Sequence, residues 1–182
     1  MNETPFIQGV TVDLRPLSLD DVSGTYINWL NDAEVCEFNS HHAYPYTREL
    51  AVEYVTSIRS QKRDLVLAII AKDSNKHIGN ISLQNIHPTN QSAEYAIIIG
   101  DKEYWGKGIA KEASVLILKH GFEELNLHRI SCGTSVKNIP MQKLATSLGF
   151  AQEGIRKDAM FKNGEFVDVI EYGLLRGNFK AD

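Results

Sequence analysis

One stretch, SAEYAIIIGDKEYWGKGIAKEASVLILKHGFEE at residues 92–124, constrains this chain more than any other. It opens with strand-like residues, turns through a glycine-rich segment, and then changes to helical spacing. Ile109, Ala113, Leu116, Ile117 and Gly121, joined by Leu118, Phe122 and Leu125, cover more than one face of the expected helix. Such a helix is buried against a sheet. The next run, HRISCGTSV at 128–136, again reads as a strand, so the unit is strand, helix, strand with a parallel crossover.

The start of that helix is unusual. Helices recruit Ser, Thr, Asp or Asn to cap their free amides and favour acidic residues in the first turn. Here Gly106 and Gly108 stand at the start, with Lys102, Lys107 and Lys111 around them. Uncapped amides, glycines that permit close approach, and lysines set against the dipole fit an anion such as a phosphate. A tight turn with solvated lysines fits the same residues equally well. Spacing excludes a nucleotide P-loop, because Gly100 lies one residue too far from Gly106 and Lys107 is followed by Gly108. A dinucleotide fingerprint is weak, since Lys111 occupies the third small position.

The remaining chain supplies the rest of the fold. Residues 9–16 alternate as a strand, Ser18 is an N-cap candidate for a helix to about Leu30, and Thr47 opens a second helix. Residues 31–46 read as an irregular loop. LVLAIIA (65–71), HIGNISLQNI (77–86) and SAEYAIIIG (92–100) form a three-stranded meander. After the parallel unit come a shorter helix in PMQKLATSL and two final strands, GFAQEGI and FVDVIEYGLL. This mixed order argues an α+β fold, with one or two parallel steps around the long helix.

The net charge of −4, pI near 5.9 and scattered basic residues argue against nucleic acid as a direct partner. Cys36 and Cys132 belong to no CxxC pair, so two buried thiols are expected rather than a metal site or disulfide. The start MNETPFIQG has neither a basic nor an apolar leader region, and no run approaches a membrane span. The expectation is a cytoplasmic protein without a membrane partner, with residues 1–182 forming one domain.

With these residues in hand, the sequence resembles the GCN5-related N-acetyltransferases (GNAT). Their pyrophosphate loop has Arg or Gln, two residues, Gly, one residue, then Gly or Ala; here Glu103, Tyr104, Trp105, Gly106, Lys107 and Gly108 occupy it, and Glu103 departs from the pattern. YWGKGIAKEA, FEELNLHRI, Asn138 and GFAQEGIRKDAMFKNGEFVDV are similar to the RimJ/RimL branch of ribosomal-protein N-terminal acetyltransferases. The resemblance implies a mixed, mostly antiparallel sheet with a splayed central parallel pair, flanked by about four helices. It also implies acetyl-CoA as cosubstrate, no metal, a primary-amine acceptor and possible homodimers through C-terminal edge strands. A protein N-terminus is the first acceptor class implied; an amino sugar, a polyamine or another small amine is the alternative. A non-catalytic acyl-CoA-binding module is a further one.

The resemblance assigns roles residue by residue. Glu94 corresponds in position to the strand glutamate that acts as base through water, although a paired or solvent-facing glutamate fits the position as well. Backbone amides around Ile97, Ile98 and Ile99 face the thioester, and Trp105, Gly106, Lys107, Gly108, Ile109, Ala110 and Lys111 hold the pyrophosphate. Asn138 touches pantetheine or caps its helix. The usual proton donors after that asparagine are replaced by Met141 and Ala145, which leaves Tyr104, Tyr172 or water as substitutes, or a thiolate that leaves unassisted. Trp29, His41, His42 and Tyr44 border the acceptor side, though the histidines could be merely exposed and Trp29 merely core.

Overall fold

The computed structural model describes residues 4–60 and 63–181. The first three residues of the stretch searched for a leader lie outside this range. Twelve elements run in chain order: β1 (Ile7–Gln8), β2 (Val12–Pro16), α1 (Tyr26–Leu30), α2 (Arg48–Ser60), β3 (Leu65–Ala71), β4 (Lys76–His87), β5 (Ser92–Ile99), α3 (Ile109–Glu123), β6 (Arg129–Ser135), α4 (Ile139–Ser147), β7 (Ala151–Lys162) and β8 (Glu165–Leu175). Their strands form one sheet in the order β1-β2-β3-β4-β5-β6-β8-β7. Every pairing is antiparallel except β5 with β6.

That single parallel pair has three rungs: Ser92 with Arg129, Ala93 with Ile130, and Glu94 with Ser131. Beyond Glu94 the two strands part. Tyr95–Ile99 continue along β4 alone, and Cys132–Ser135 continue along β8 alone. The sheet is therefore split by a wedge that opens toward the C-terminal ends of β5 and β6. This is the splayed pair expected above, and one parallel step creates it.

Packing fixes the wedge from both faces. On one face α3 and α4 bury Ile109, Ala113, Ile117, Leu118, Phe122, Ala145 and Leu148 against Ala93, Tyr95, Ile130 and Cys132. Ser114 donates to the Ala110 carbonyl at 2.5 Å, so the buried Tyr95 hydroxyl donates to Ser114 Oγ at 2.6 Å and ties α3 to β5. On the other face α1 and α2 bury Trp29, Leu30, Ala51 and Val55 against Val66, Ala68 and Ile70. Burial of an aliphatic side chain of this size contributes about 1.5–3 kcal/mol.

Three local expectations are corrected. The first helix is split into a 3-10 turn, Asp21–Ser23, and the short α1. Ser18 does not cap it; its amide and hydroxyl donate to the Asp21 carboxylate, which also holds Arg15 and His77. The strand expected over 9–16 begins only at Val12; residues 9–11 turn back from β1, and the Val10 and Thr11 amides donate to the Glu112 carboxylate. The last strand matches its expected segment to within one residue, but β7 runs seven residues past the expected GFAQEGI and joins β8 at the turn around Gly164 (φ 84°). A bulge between Arg156 and Met160 broke the alternation that would have revealed the length of β7.

Candidate active site

The wedge presents backbone groups that a regular sheet would consume. Gly100 donates to the Ile78 carbonyl at 2.9 Å, making that pair a hydrogen-bonded rung of the β4–β5 ladder. Alternation then turns the amide of Ile98 toward β4 and those of Ile97 and Ile99 into the gap. The Ile99 carbonyl accepts from Trp105 Nε1 at 2.8 Å, as this parity requires. Of the three isoleucines expected to line the gap, Ile98 is thus spent on the ladder.

The glycine loop stands at the wide end of the wedge. Asp101 accepts from the Glu103 amide at 3.0 Å and starts a 3-10 turn over Lys102–Tyr104. Gly106 (φ 72°) and Gly108 (φ 80°) both adopt left-handed backbone, which explains why glycine stands at each. A Cβ built at either meets no atom within 4 Å, so nothing of the protein fills the loop's concave side. Gly108 caps α3 without a side-chain bond, and the first intrahelical bond is Glu112 N–H to its carbonyl at 3.2 Å. The amides of Ile109, Ala110 and Lys111 therefore precede the ladder and aim along the helix axis.

The nearby charges divide. Lys107 Nζ lies 5.2 Å above the Tyr104 ring, beside the loop. Lys102, by contrast, pairs with Asp32 at 2.8 Å and Glu34 at 2.6 Å. Glu112, the acid of the first turn, is turned onto the β1–β2 turn; burial alone would raise its carboxyl, but bonds from Thr11, Val12 and Val10 hold it below the usual glutamate range.

Glu94 occupies the last parallel rung, where the strands part, and is exposed on the face opposite α3. Asn85 Nδ2 donates to its Oε2 at 3.3 Å. Asn138 caps α4 by accepting from the Met141 amide at 3.1 Å, which leaves its Nδ2 available.

Other expected residues lie elsewhere. Tyr104 is buried against α3, and its hydroxyl donates to Asp73 at 3.0 Å in the β3–β4 turn; this proton is directed away from the wedge. Tyr172 lies beside a cavity of about 430 Å³ on the side of α4 bearing Gln142 and Lys143. Burial pushes its phenol up. Trp29 is 5% exposed, packs edge-on to His77 at 4.9 Å, and lies against Gly100, where a Cβ would come within 1.9 Å of Trp29 Cδ2. It is a core residue that forces the sharp exit from β5, rather than part of an accessible acceptor surface.

Loop 31–46 is tied down at its base and on two sides. Asn31 pinches its base with two bonds to Tyr46, each 2.8 Å. Lys102 anchors one side, and on the other Lys162 Nζ donates to the Asn39 and His41 carbonyls, both at 3.1 Å. The loop carries His41, His42 (φ 68°) and Tyr44 (86% exposed). Desolvation and the Lys162 ammonium hold the His41 imidazole below the usual histidine range. The Lys162 clasp was not foreseen; no local pattern signals a contact across more than a hundred residues.

A splayed parallel pair whose Ile97 and Ile99 amides face the gap, beside a helix start that follows two glycines and has no side-chain cap, has the form to receive an extended acyl thioester along a strand and a diphosphate at a helix. The model of the GNAT acetyltransferase domain matches residues 11–151, and the chain belongs to this family. The N-acetyltransferase p20 of Bacillus licheniformis is 29% identical over 97% of this chain and 98% of its own. The spermidine N(1)-acetyltransferase of Escherichia coli K12 is 28% identical over 94% of this chain and 90% of its own. Spermidine N-acetyltransferase from Vibrio cholerae, solved with CoA and spermine, superposes with a TM-score of 0.85 at 26% identity, covering 92% of this chain and 97% of that one. The protein is an acetyl-CoA-dependent N-acetyltransferase. Among the described residues no cluster of three or more His, Cys, Asp or Glu could hold a metal, and no helix is long and apolar enough to cross a membrane.

Proposed function

We propose that the chain, acting as one acetyltransferase domain over residues 1–182, transfers the acetyl group of acetyl-CoA to a primary amine of a small polycation. The observation that carries this is the position of Glu94 at the last parallel rung, on the side opposite the helix that receives the diphosphate. Polyamine acetyltransferases among the relatives, and an acidic protein of net charge −4, favour a polyamine over the protein N-terminus implied by the RimJ/RimL resemblance.

In the proposed reaction Glu94, through water, takes a proton from the acceptor ammonium, and the neutral nitrogen attacks the thioester carbon. The Ile97 and Ile99 amides receive the charge that develops on oxygen. That attack forms the carbon–nitrogen bond; collapse breaks the carbon–sulfur bond and releases a thiolate, a tolerable leaving group at a thiol pKa of about 8.5, which takes up the second proton of the amine nitrogen through water. Met141 and Ala145 offer no proton, and the Tyr104 hydroxyl donates its hydrogen bond to Asp73. Transfer is direct: burial pushes both cysteine thiols up, Cys132 to about 12, so neither supplies a thiolate for an acetyl-enzyme.

Thiol release from acetyl-CoA, measured with spermidine, N-terminal peptides of ribosomal proteins and amino-sugar nucleotides side by side, tests this. Fastest turnover with spermidine is expected. Preference for the peptides would overturn the acceptor class, and CoA binding without turnover of any amine would overturn the catalytic role.

A further inference from the structure

A second carboxylate shares the acceptor face. Residues paired across a sheet lie on one face, and alternate residues along a strand return to it. Glu94 pairs with Ser131, Ser131 and Gly133 alternate along β6, and Gly133 pairs with Glu171 of β8. Glu94 and Glu171 therefore flank β6 on the side opposite α3 and α4. Ser131 is half-buried and Gly133 exposed between them. The apolar core formed by α1 and α2 reaches β3 and Ile98 and does not include this patch.

Glu171 does not point outward from its strand. A Cβ built at Gly133 would lie 3.2 Å from Glu171 Oε1 and 3.5 Å from Oε2, so the carboxylate leans across β6 over the space a side chain there would take. Arg156 Nε donates to Oε1, yet its side chain is 64% exposed and leaves Oε2 uncommitted among the described residues. The nearest other charges on this face, Arg129 and Glu153, pair with each other. The Cys132 thiol, buried on the other face of β6, registers both: after burial itself, Glu171 and Glu94 push it up.

We infer that Glu171 is a specificity-determining residue that binds a second ammonium of the acceptor while Glu94 serves the reacting one. This rests on the polyamine reading above and deepens it: the enzyme is built for diamines of matched length rather than for amines in general. Two strand spacings of about 4.8 Å and two residues of about 3.3 Å separate the Glu94 and Glu171 Cα atoms by roughly 12 Å. With Glu171 leaning inward over Gly133, that span shortens toward the reach of a diamine with several methylenes.

The test compares kcat/KM for a series from ethylenediamine to hexamethylenediamine with monoamines of equal length, in wild type, Glu171→Gln and Glu171→Asp. A charged hydrogen bond contributes about 1.5–3 kcal/mol, so the diamine-to-monoamine ratio falls at least about tenfold in Glu171→Gln and recovers in part in Glu171→Asp, where the charge is restored. The ratio is insensitive to lost folded protein, which would lower both substrates alike. An unchanged ratio, or a wild type that favours monoamines, overturns the role of Glu171. Calorimetric titration of the CoA-bound protein with butane-1,4-diamine provides an arm independent of turnover. Equal affinity of wild type and Glu171→Gln there overturns the inference even for a protein that acetylates none of these amines, an outcome that by itself removes only the polyamine reading.

Discussion

Replacing Gly108 with alanine separates the loop's contribution to folding from its contribution to CoA. Its φ of 80° lies in the left-handed region, which costs a residue with a side chain about 1–2 kcal/mol. Reduced freedom of the unfolded chain offsets about 0.4–1 kcal/mol of that. No atom lies within 4 Å of the new methyl, so no steric cost is added. The net destabilisation is about 1 kcal/mol, or roughly 2–4 °C in Tm for a chain of this size.

Affinity responds differently. A phosphate held by backbone amides comes within about 3 Å of them, and a methyl projecting into that concavity displaces it. Loss of one charge-assisted hydrogen bond of about 1.5–3 kcal/mol weakens CoA at least tenfold. Calorimetric titration with CoA, alongside thermal unfolding, is the assay. Affinity unchanged within twofold would refute the placement of the diphosphate at this loop. A Tm drop beyond about 10 °C would refute the claim that its concave side is open.

Other perturbations probe the supports of the site. The Asp21 carboxylate is 4% exposed and held by Arg15 at 2.6 Å and His77 at 3.2 Å; burial opposes its charge, yet Arg15, His77 and Ser18 keep it far below the usual carboxylate range. Because the folded value is depressed, its stabilisation is complete above the unfolded pKa of about 3.9 and fades as pH falls below it. Asp21→Asn leaves the half-buried Arg15 guanidinium uncompensated and costs about 3–5 kcal/mol at neutral pH, and it flattens the loss of Tm between about pH 5 and 2; an equally steep acid limb in the variant would contradict this. Lys162→Met frees loop 31–46 from the β7–β8 hairpin and raises KM for the amine severalfold while CoA affinity is retained. Unchanged KM would show that the clasp has no bearing on the acceptor.

Legibility in the sequence followed the range of the determining interactions. Gly106 and Gly108 were readable because each answers a local backbone demand, φ above zero at a helix start. The meander and the crossover helix were readable because their periods differ and their burial is extensive. The β1–β2 turn was not, since the carboxylate that fixes it arrives from Glu112, about a hundred residues away. The first helix was overestimated because Asp21, an ordinary first-turn acid by composition, is taken by Arg15 and His77 from β2 and β4. Trp29 looks like a binding aromatic until Gly100 is seen beneath it, and the choice of Ile97 and Ile99 over Ile98 depends on a ladder parity that no composition encodes. Glu171 was invisible for the same reason: it acts over Gly133, its neighbour only across β6 and β8.

The proposed transfer depends most directly on Glu94, at the point where β5 and β6 part. General-base catalysis contributes about 10²–10⁴-fold, so Glu94→Gln should lower kcat for the preferred amine by at least a hundredfold at neutral pH. The deficit should shrink at alkaline pH, where the free amine forms unaided, with CoA affinity within twofold of wild type throughout. A variant that turns over at the wild-type rate at neutral pH would contradict the assignment of this wedge as the place of transfer.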